Sequence, residues 1–162
     1  MAGYIQTLRR SLTTGKITWV RPECLHVTLR FLGETPPSLV ERLRGWESCL
    51  KSTPAAPVAI GPLDAFPNLR TPKVLFLRVD PVDPLKELFH RLEQRLAEAG
   101  FTQEPKAYTP HLTIARVRRP PQRIEPSPFL IQDTLTSVTL FESRLTPAGP
   151  IYTTLSTAAL EI

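Results

Sequence analysis

Apolar residues recur along this chain with two spacings, and each change of spacing marks a change of predicted element. Over residues 3–12, Ile5, Leu8 and Leu12 fall on one side of a short helix. Residues 18–20 and 25–32 read as extended, the second segment stopping at Gly33. Thr35 is placed to cap a helix whose first positions are Pro36 and Pro37, where a missing N–H costs little. Leu39, Leu43, Trp46 and Leu50 give that helix its apolar stripe. A strand is expected at 58–60, a long turn over 61–72, and a buried strand at 73–79, where apolar residues follow one another without alternation. Asp83 and Pro84 open the strongest helical segment, with Leu85, Leu88, Phe89, Leu92 and Leu96 inward and Gly100 placed to end it. A strand over 111–117 follows. The proline-rich stretch 118–129 reads as a loop, and two β-rich runs near 134–145 and 151–160 close the chain.

Helices interleave with strands but are too few for a doubly wound parallel sheet, so an α+β fold is expected. A length of 162 residues suits one domain with a sizeable core. The 18 prolines exceed the usual share of about 5%. They gather at the turns between periodic segments, which predicts short, stiff connections rather than disorder. The longest apolar runs, such as Val74-Leu75-Phe76-Leu77, fall far short of a bilayer span. The first ten residues lack the apolar stretch and cleavage site of a secretory signal. The expectation is therefore a cytoplasmic protein without membrane attachment. Cys24 and Cys49 have no spacing that suggests a disulfide framework. A net charge of +5 favours anionic partners, nucleic acid among them.

The informative feature is an internal echo. Leu25-His26-Val27-Thr28-Leu29-Arg30 is matched far downstream by Pro110-His111-Leu112-Thr113-Ile114-Ala115-Arg116. Both contain His, an aliphatic residue, Thr and another aliphatic residue, and the chain has only three histidines. In a strand, successive side chains point to opposite faces. His26 then shares a face with Thr28, and His111 with Thr113, while Val27, Leu29, Leu112 and Ile114 are left to pack inward. If the two segments lie side by side, two imidazoles and two hydroxyls face one site. Such a set suits a phosphodiester. One imidazole accepts a proton while the other donates one, and the hydroxyls donate to the non-bridging oxygens. No metal is needed if the phosphate is already strained into a five-membered ring.

Other residues enter as candidates with bland alternatives beside them. Arg30, two after Thr28, would share the site-facing side and contact a phosphate; Arg116, three after Thr113, nominally would not. Arg118, Arg119 and Arg123 make the 118–129 loop basic. Phe66 and Tyr108 are candidates to stack on a base, or else to pack in the core or at its rim. His90, beside Phe89 on the amphipathic helix, is given no function. Cys24 lies two before His26, but no third or fourth ligand with supporting spacing accompanies it, so no metal is expected. No P-loop, dinucleotide fingerprint or nucleophile elbow is present.

On these residues the chain resembles the 2H phosphoesterase superfamily, in particular its RNA 2′,3′-cyclic phosphodiesterases, also called 2′–5′ RNA ligase-like proteins. HVTLRFLG and HLTIARV look like the two His-x-Thr-x signatures at 26–29 and 111–114. Trp19-Val20-Arg21-Pro22-Glu23, Phe66-Pro67, Pro72-Lys73-Val74-Leu75-Phe76 and Tyr108-Thr109-Pro110 extend the likeness over nearly the whole chain. The resemblance implies a single bilobal, pseudo-symmetric domain over 1–162, with two antiparallel sheets lining a central cleft and helices outside. It implies hydrolysis of RNA 2′,3′-cyclic phosphate ends to 2′-phosphates; RNA with such an end is the expected partner, no cofactor is expected, and the chain is expected to act as a monomer. By matching positions, His26 would be the proton donor to the 3′-oxygen, His111 the proton acceptor that activates water, and Thr28 and Thr113 the phosphate holders. Members begin with a strand ahead of the first helix, whereas this chain starts inside that helix at Gly3-Tyr4-Ile5. The same site would also suit reversible 2′–5′ joining of RNA ends or a small cyclic nucleotide, and a non-catalytic RNA-binding module is the remaining alternative.

Overall fold

Ile5 and Leu8, two of the three stripe residues of the first segment, are buried on α1 (Ala2–Ser11), and the third, Leu12, follows the helix half-buried. The stripe of the second long helix behaves likewise. Leu85, Leu88, Phe89, Leu92 and Leu96 are buried on α3 (Val82–Ala99), and Gly100 follows at φ +99, a conformation that penalises a side chain. The computed structural model describes residues 1–121, 124–125, 128–147 and 149–162. The chain divides into two compact units, one of Met1–Thr28, Val58–Val82 and Thr109–Asp133, the other of Leu29–Pro57, Asp83–Tyr108 and Thr134–Ile162.

The first unit is built on a five-stranded sheet in the order β1-β4-β3-β2-β5, with β1 at Lys16–Trp19, β2 at Ala56–Phe66, β3 at Val74–Asp80, β4 at His111–Arg119 and β5 at Ile131–Leu135. β1 with β4, β4 with β3 and β3 with β2 pair antiparallel. One face is apolar: Leu63 and Ala65 on β2, Leu75 and Leu77 on β3 and Leu112 and Ile114 on β4 are all buried. Leu75, Leu77 and Ile114 have no exposed surface, and burial of each such side chain stabilises by roughly 1.5–3 kcal/mol. The opposite face carries Asp64, Phe66, Phe76, Arg78, His111 and Thr113 in register, because Asp64 pairs with Phe76, Phe76 with Thr113 and Arg78 with His111.

β4 contains a bulge. Leu75 and Phe76, consecutive on β3, oppose Ala115 and Thr113, so Ile114 is an extra residue in the ladder. Ile114 and Ala115 are consequently both buried, and Arg116 and Arg118 emerge on the polar face. This reverses the parity expected for Arg116, since an inserted residue shifts the alternation by one.

In the second unit the hairpin β6 (Ser137–Thr146) and β7 (Gly149–Ala159) forms a two-stranded antiparallel sheet. Trp46, Leu50, Leu88, Leu92, Ala158 and Leu160 make its core, with Val138 and Leu140 packed against them. Trp46 Nε1–H donates to Ser156 Oγ at 2.6 Å, so the large indole is buried with its polar atom satisfied.

Four expectations change. The strand at 25–32 is reduced to an isolated bridge at Val27, after a 3-10 turn at Pro22–Cys24. The helix drawn through Leu39, Leu43, Trp46 and Leu50 is two pieces, α2 (Pro37–Arg42) and a 3-10 turn at Trp46–Leu50, because Gly45 at φ +69 breaks the helical path. Thr35 makes no cap; its hydroxyl donates to the Gly33 carbonyl at 3.1 Å, and Pro36 is the boundary residue. The first half of the turn expected over 61–72 is strand, since β2 runs on to Phe66 and absorbs the Gly61-Pro62 pair in a register shift. Gly61 is needed there: at φ +126, a Cβ would stand 1.9 Å from the Phe129 carbonyl oxygen.

Candidate active site

The two His-x-Thr triplets, His26 to Thr28 and His111 to Thr113, meet within the first unit. After β1, the Val20 N–H donates to the Ile114 carbonyl at 2.9 Å, and the Pro22–Cys24 turn interrupts the pairing. The chain then rejoins the same edge of β4 through the antiparallel bridge between Val27 and Leu112. Carried one residue either way, that register sets His26 beside Thr113 and Thr28 beside His111. Opposed residues in an antiparallel pair lie about 5 Å apart, and diagonal ones such as His26 and His111 about 7–8 Å. Leu112 is buried and Val27 half-buried, whereas His26 and Thr28 are exposed and His111 and Thr113 half-buried. The four polar side chains therefore rise from one face of a single seam.

Both imidazoles are anchored in the same way. His26 Nδ1 lies 2.8 Å from the Cys24 carbonyl oxygen, and His111 Nδ1 lies 2.7 Å from that of Thr109. A carbonyl oxygen only accepts, so each Nδ1 carries the proton in the neutral ring and Nε2 its lone pair. His111 also has an aromatic wall. Phe76, its ring centroid 5.3 Å away, and Phe66, at 5.1 Å, present their rings edgewise to the imidazole. The two phenyl rings are stacked on each other at 4.3 Å. Phe66 remains 38% exposed, so one aromatic surface next to His111 is open.

Not every candidate joins this group. Arg116, re-aimed by the bulge, is exposed on the seam's face, opposite Val74 on one side and Thr18 on the other. Arg118 and Arg119 end β4 rather than opening a loop, and Arg123 lies outside the described residues. Arg30 lies in the second unit, where its Nε is 2.8 Å from Glu93 Oε1 and its Nη1 is bonded to Glu104 Oε2. Its Nη2 donates to the Thr102 carbonyl at 2.8 Å. The fork expected on a substrate phosphate thus clamps α3 to the segment after it. Tyr108, also in the second unit, is stacked on Phe89 at 4.8 Å with its hydroxyl buried, and burial pushes that phenol well up from its usual range. Its ring faces a protein partner where a base was expected. His90 lies against Phe89 at 5.7 Å. Among the described residues no cluster of three or more His, Cys, Asp or Glu has the arrangement of a metal site.

Phe76 is the site residue that sequence reasoning missed. It stands in the apolar run of β3 and is buried like its neighbours; only its register opposite Thr113 shows that it belongs to the other face. The Asp64–Arg78 ion pair on the same face, with Nε–Oδ2 at 3.1 Å, gave no sequence signal either.

Comparison with known proteins is consistent across sequence and structure. A model of the family described as the 2'-5' RNA ligase superfamily matches residues 1–147. An RNA 2',3'-cyclic phosphodiesterase of Methanothermobacter thermautotrophicus is 31% identical over 147 residues, covering 85% of this chain and 79% of the relative. The Thermotoga maritima protein of that name is 32% identical over 154 residues, covering 85% and 76%. A crystal structure from Thermus thermophilus superposes with a TM-score of 0.77 at 28% identity, over 99% of this chain and 93% of that one. E. coli LigT complexed with 3'-AMP gives 0.76 at 25% identity, over 96% and 88%.

Proposed function

The chain belongs to the 2′–5′ RNA ligase superfamily, and on that premise we propose that it hydrolyses the 2′,3′-cyclic phosphate ends of RNA to 2′-phosphates. The observation that carries this reading is the Val27–Leu112 bridge, since His26 and Thr28 flank Val27 and His111 and Thr113 flank Leu112. Two imidazoles on one diagonal, each with Nδ1 tied to a carbonyl, suit a tetrahedral anion placed over the seam.

In this mechanism His111 takes a proton from water through Nε2, and the oxygen attacks phosphorus. The bond from phosphorus to the 3′-oxygen breaks, and His26, protonated, delivers its proton to that oxygen. This division of labour follows the matching of motif positions to the family. Thr28 and Thr113 donate to the non-bridging oxygens as their charge grows. Arg116, brought to the same face, pairs with a phosphate oxygen through its planar fork, and Phe66 offers its exposed ring to the base of the terminal nucleoside. The substrate supplies its own driving force through ring strain, so the scheme uses no metal.

Incubating the protein with an oligonucleotide ending in 2′,3′-cyclic phosphate, in the presence of EDTA, tests the reading. Turnover to a 2′-phosphate is expected, with a loss of at least about 100-fold in both His26→Ala and His111→Ala. Turnover in either variant at the parent rate, or a 3′-phosphate product, contradicts the assigned roles.

A further inference from the structure

Resting on the reading of this site as a cyclic phosphodiesterase, we propose that the sheet face beside His111 is a nucleobase subsite selecting guanine. Phe66 is its platform and Arg78 its reading group. Arg78 is the register partner of His111 on β3, one strand over from the proton-exchanging seam. It shares its face with Phe76 and with Phe66, whose ring stacks on Phe76 and meets His111 edgewise.

One contact holds the guanidinium, and a second holds the carboxylate it rests on. Arg78 Nε–H donates to Asp64 Oδ2 at 3.1 Å, and Asp64 Oδ1 accepts the Ala65 backbone N–H at 2.8 Å. Nη1 and Nη2 have no hydrogen-bond partner among the described residues, and the side chain is 59% exposed. A carboxylate that holds Nε while the terminal nitrogens point outward presents two parallel donors in a set orientation. Such a fork needs two adjacent acceptors, and guanine N7 and O6 provide the pair that arginine reads most often. Adenine offers an acceptor next to a donor on the same edge and so leaves one N–H unpaired. A purine also extends farther from the Phe66 platform than a pyrimidine, toward a residue two positions beyond Phe76 on β3. A terminal guanosine thus places its cyclic phosphate over the histidines and its base on the aromatic wall.

The four nucleoside 2′,3′-cyclic monophosphates, assayed separately, give the test as a ratio of kcat/KM values. Guanosine is expected to exceed uridine and adenosine by about tenfold or more. Arg78→Met should bring the guanosine-to-uridine ratio close to one, and Arg78→Lys, which keeps the charge without the fork, should do nearly the same. Asp64→Asn should lower the ratio part of the way by loosening the fork. Equal rates for all four bases in the parent protein overturn the proposal. So does a preference for cytosine, or a guanosine preference that survives Arg78→Met in a protein with unchanged circular dichroism. Absence of turnover on every one of the four, and on the oligonucleotide, would count instead against the reaction itself.

Discussion

His26 and His111 each donate an Nδ1–H hydrogen bond to a carbonyl two residues upstream, on Cys24 and Thr109. This fixes the tautomer and ring direction, a role that buried carboxylates fill in many acid–base sites. In the proposed mechanism one histidine is needed neutral and the other charged, so kcat/KM should be bell-shaped in pH. His26→Ala should abolish one limb along with most of the rate, which a stopped-flow pH series would reveal; an unaltered bell would contradict the pairing. Thr28→Val and Thr113→Val should each lower kcat about 10²-fold with a smaller change in KM, as expected for donors that matter most in the transition state. The alternation of His26 with Thr28 and of His111 with Thr113 was legible in the sequence because strand parity depends on counting alone. The side of the sheet on which Arg116 emerges was not, since the extra residue at Ile114 has no signature of its own.

At the level of elements, α3 does more than cover the hairpin. Its Glu93 is buried, sits 2.8 Å from Arg30 Nε, and accepts the Glu104 backbone N–H at 2.9 Å. Arg30→Met would leave that carboxylate enclosed without its cation, an arrangement that typically destabilises by about 3–5 kcal/mol. Urea unfolding should show the loss, and Arg30→Met combined with Glu93→Met should recover much of it. A single variant as stable as the parent would show that the pair does not matter. The helix periodicity of α3 was read correctly because five inward residues outvote any local exception. The helix after Pro36 was misread for the opposite reason. Its stripe continues through Leu43 and Trp46, but Gly45 between them takes a left-handed turn that hydrophobic spacing does not report.

For the molecule as a whole, the excess of five positive charges gives long-range attraction to a polyanion. The proposed reaction should therefore slow on oligonucleotides as salt rises, with log kcat/KM falling by about 0.7 per contacted phosphate for each unit of log salt. A nucleoside 2′,3′-cyclic monophosphate should show a shallower slope. Equal slopes would mean that the body of the RNA is not held. Two units carry separate cores, and the two His-x-Thr triplets, the aromatic wall and the Arg78 fork all belong to the first.

Sequence alone determined the residue types and their parity: two His-x-Thr segments, each with aliphatic residues to bury and polar ones to present, within an α+β order of elements. Those facts follow from local geometry, in which every residue's direction is set by its neighbours. Tertiary structure decided what local geometry leaves open. It joined Val27 to Leu112, turned Arg116 outward, drew Arg30 away to Glu93 and set Arg78 beside His111. Each of these depends on which distant strand pairs in which register, and register is fixed by the fit of whole buried faces rather than by any short stretch of chain.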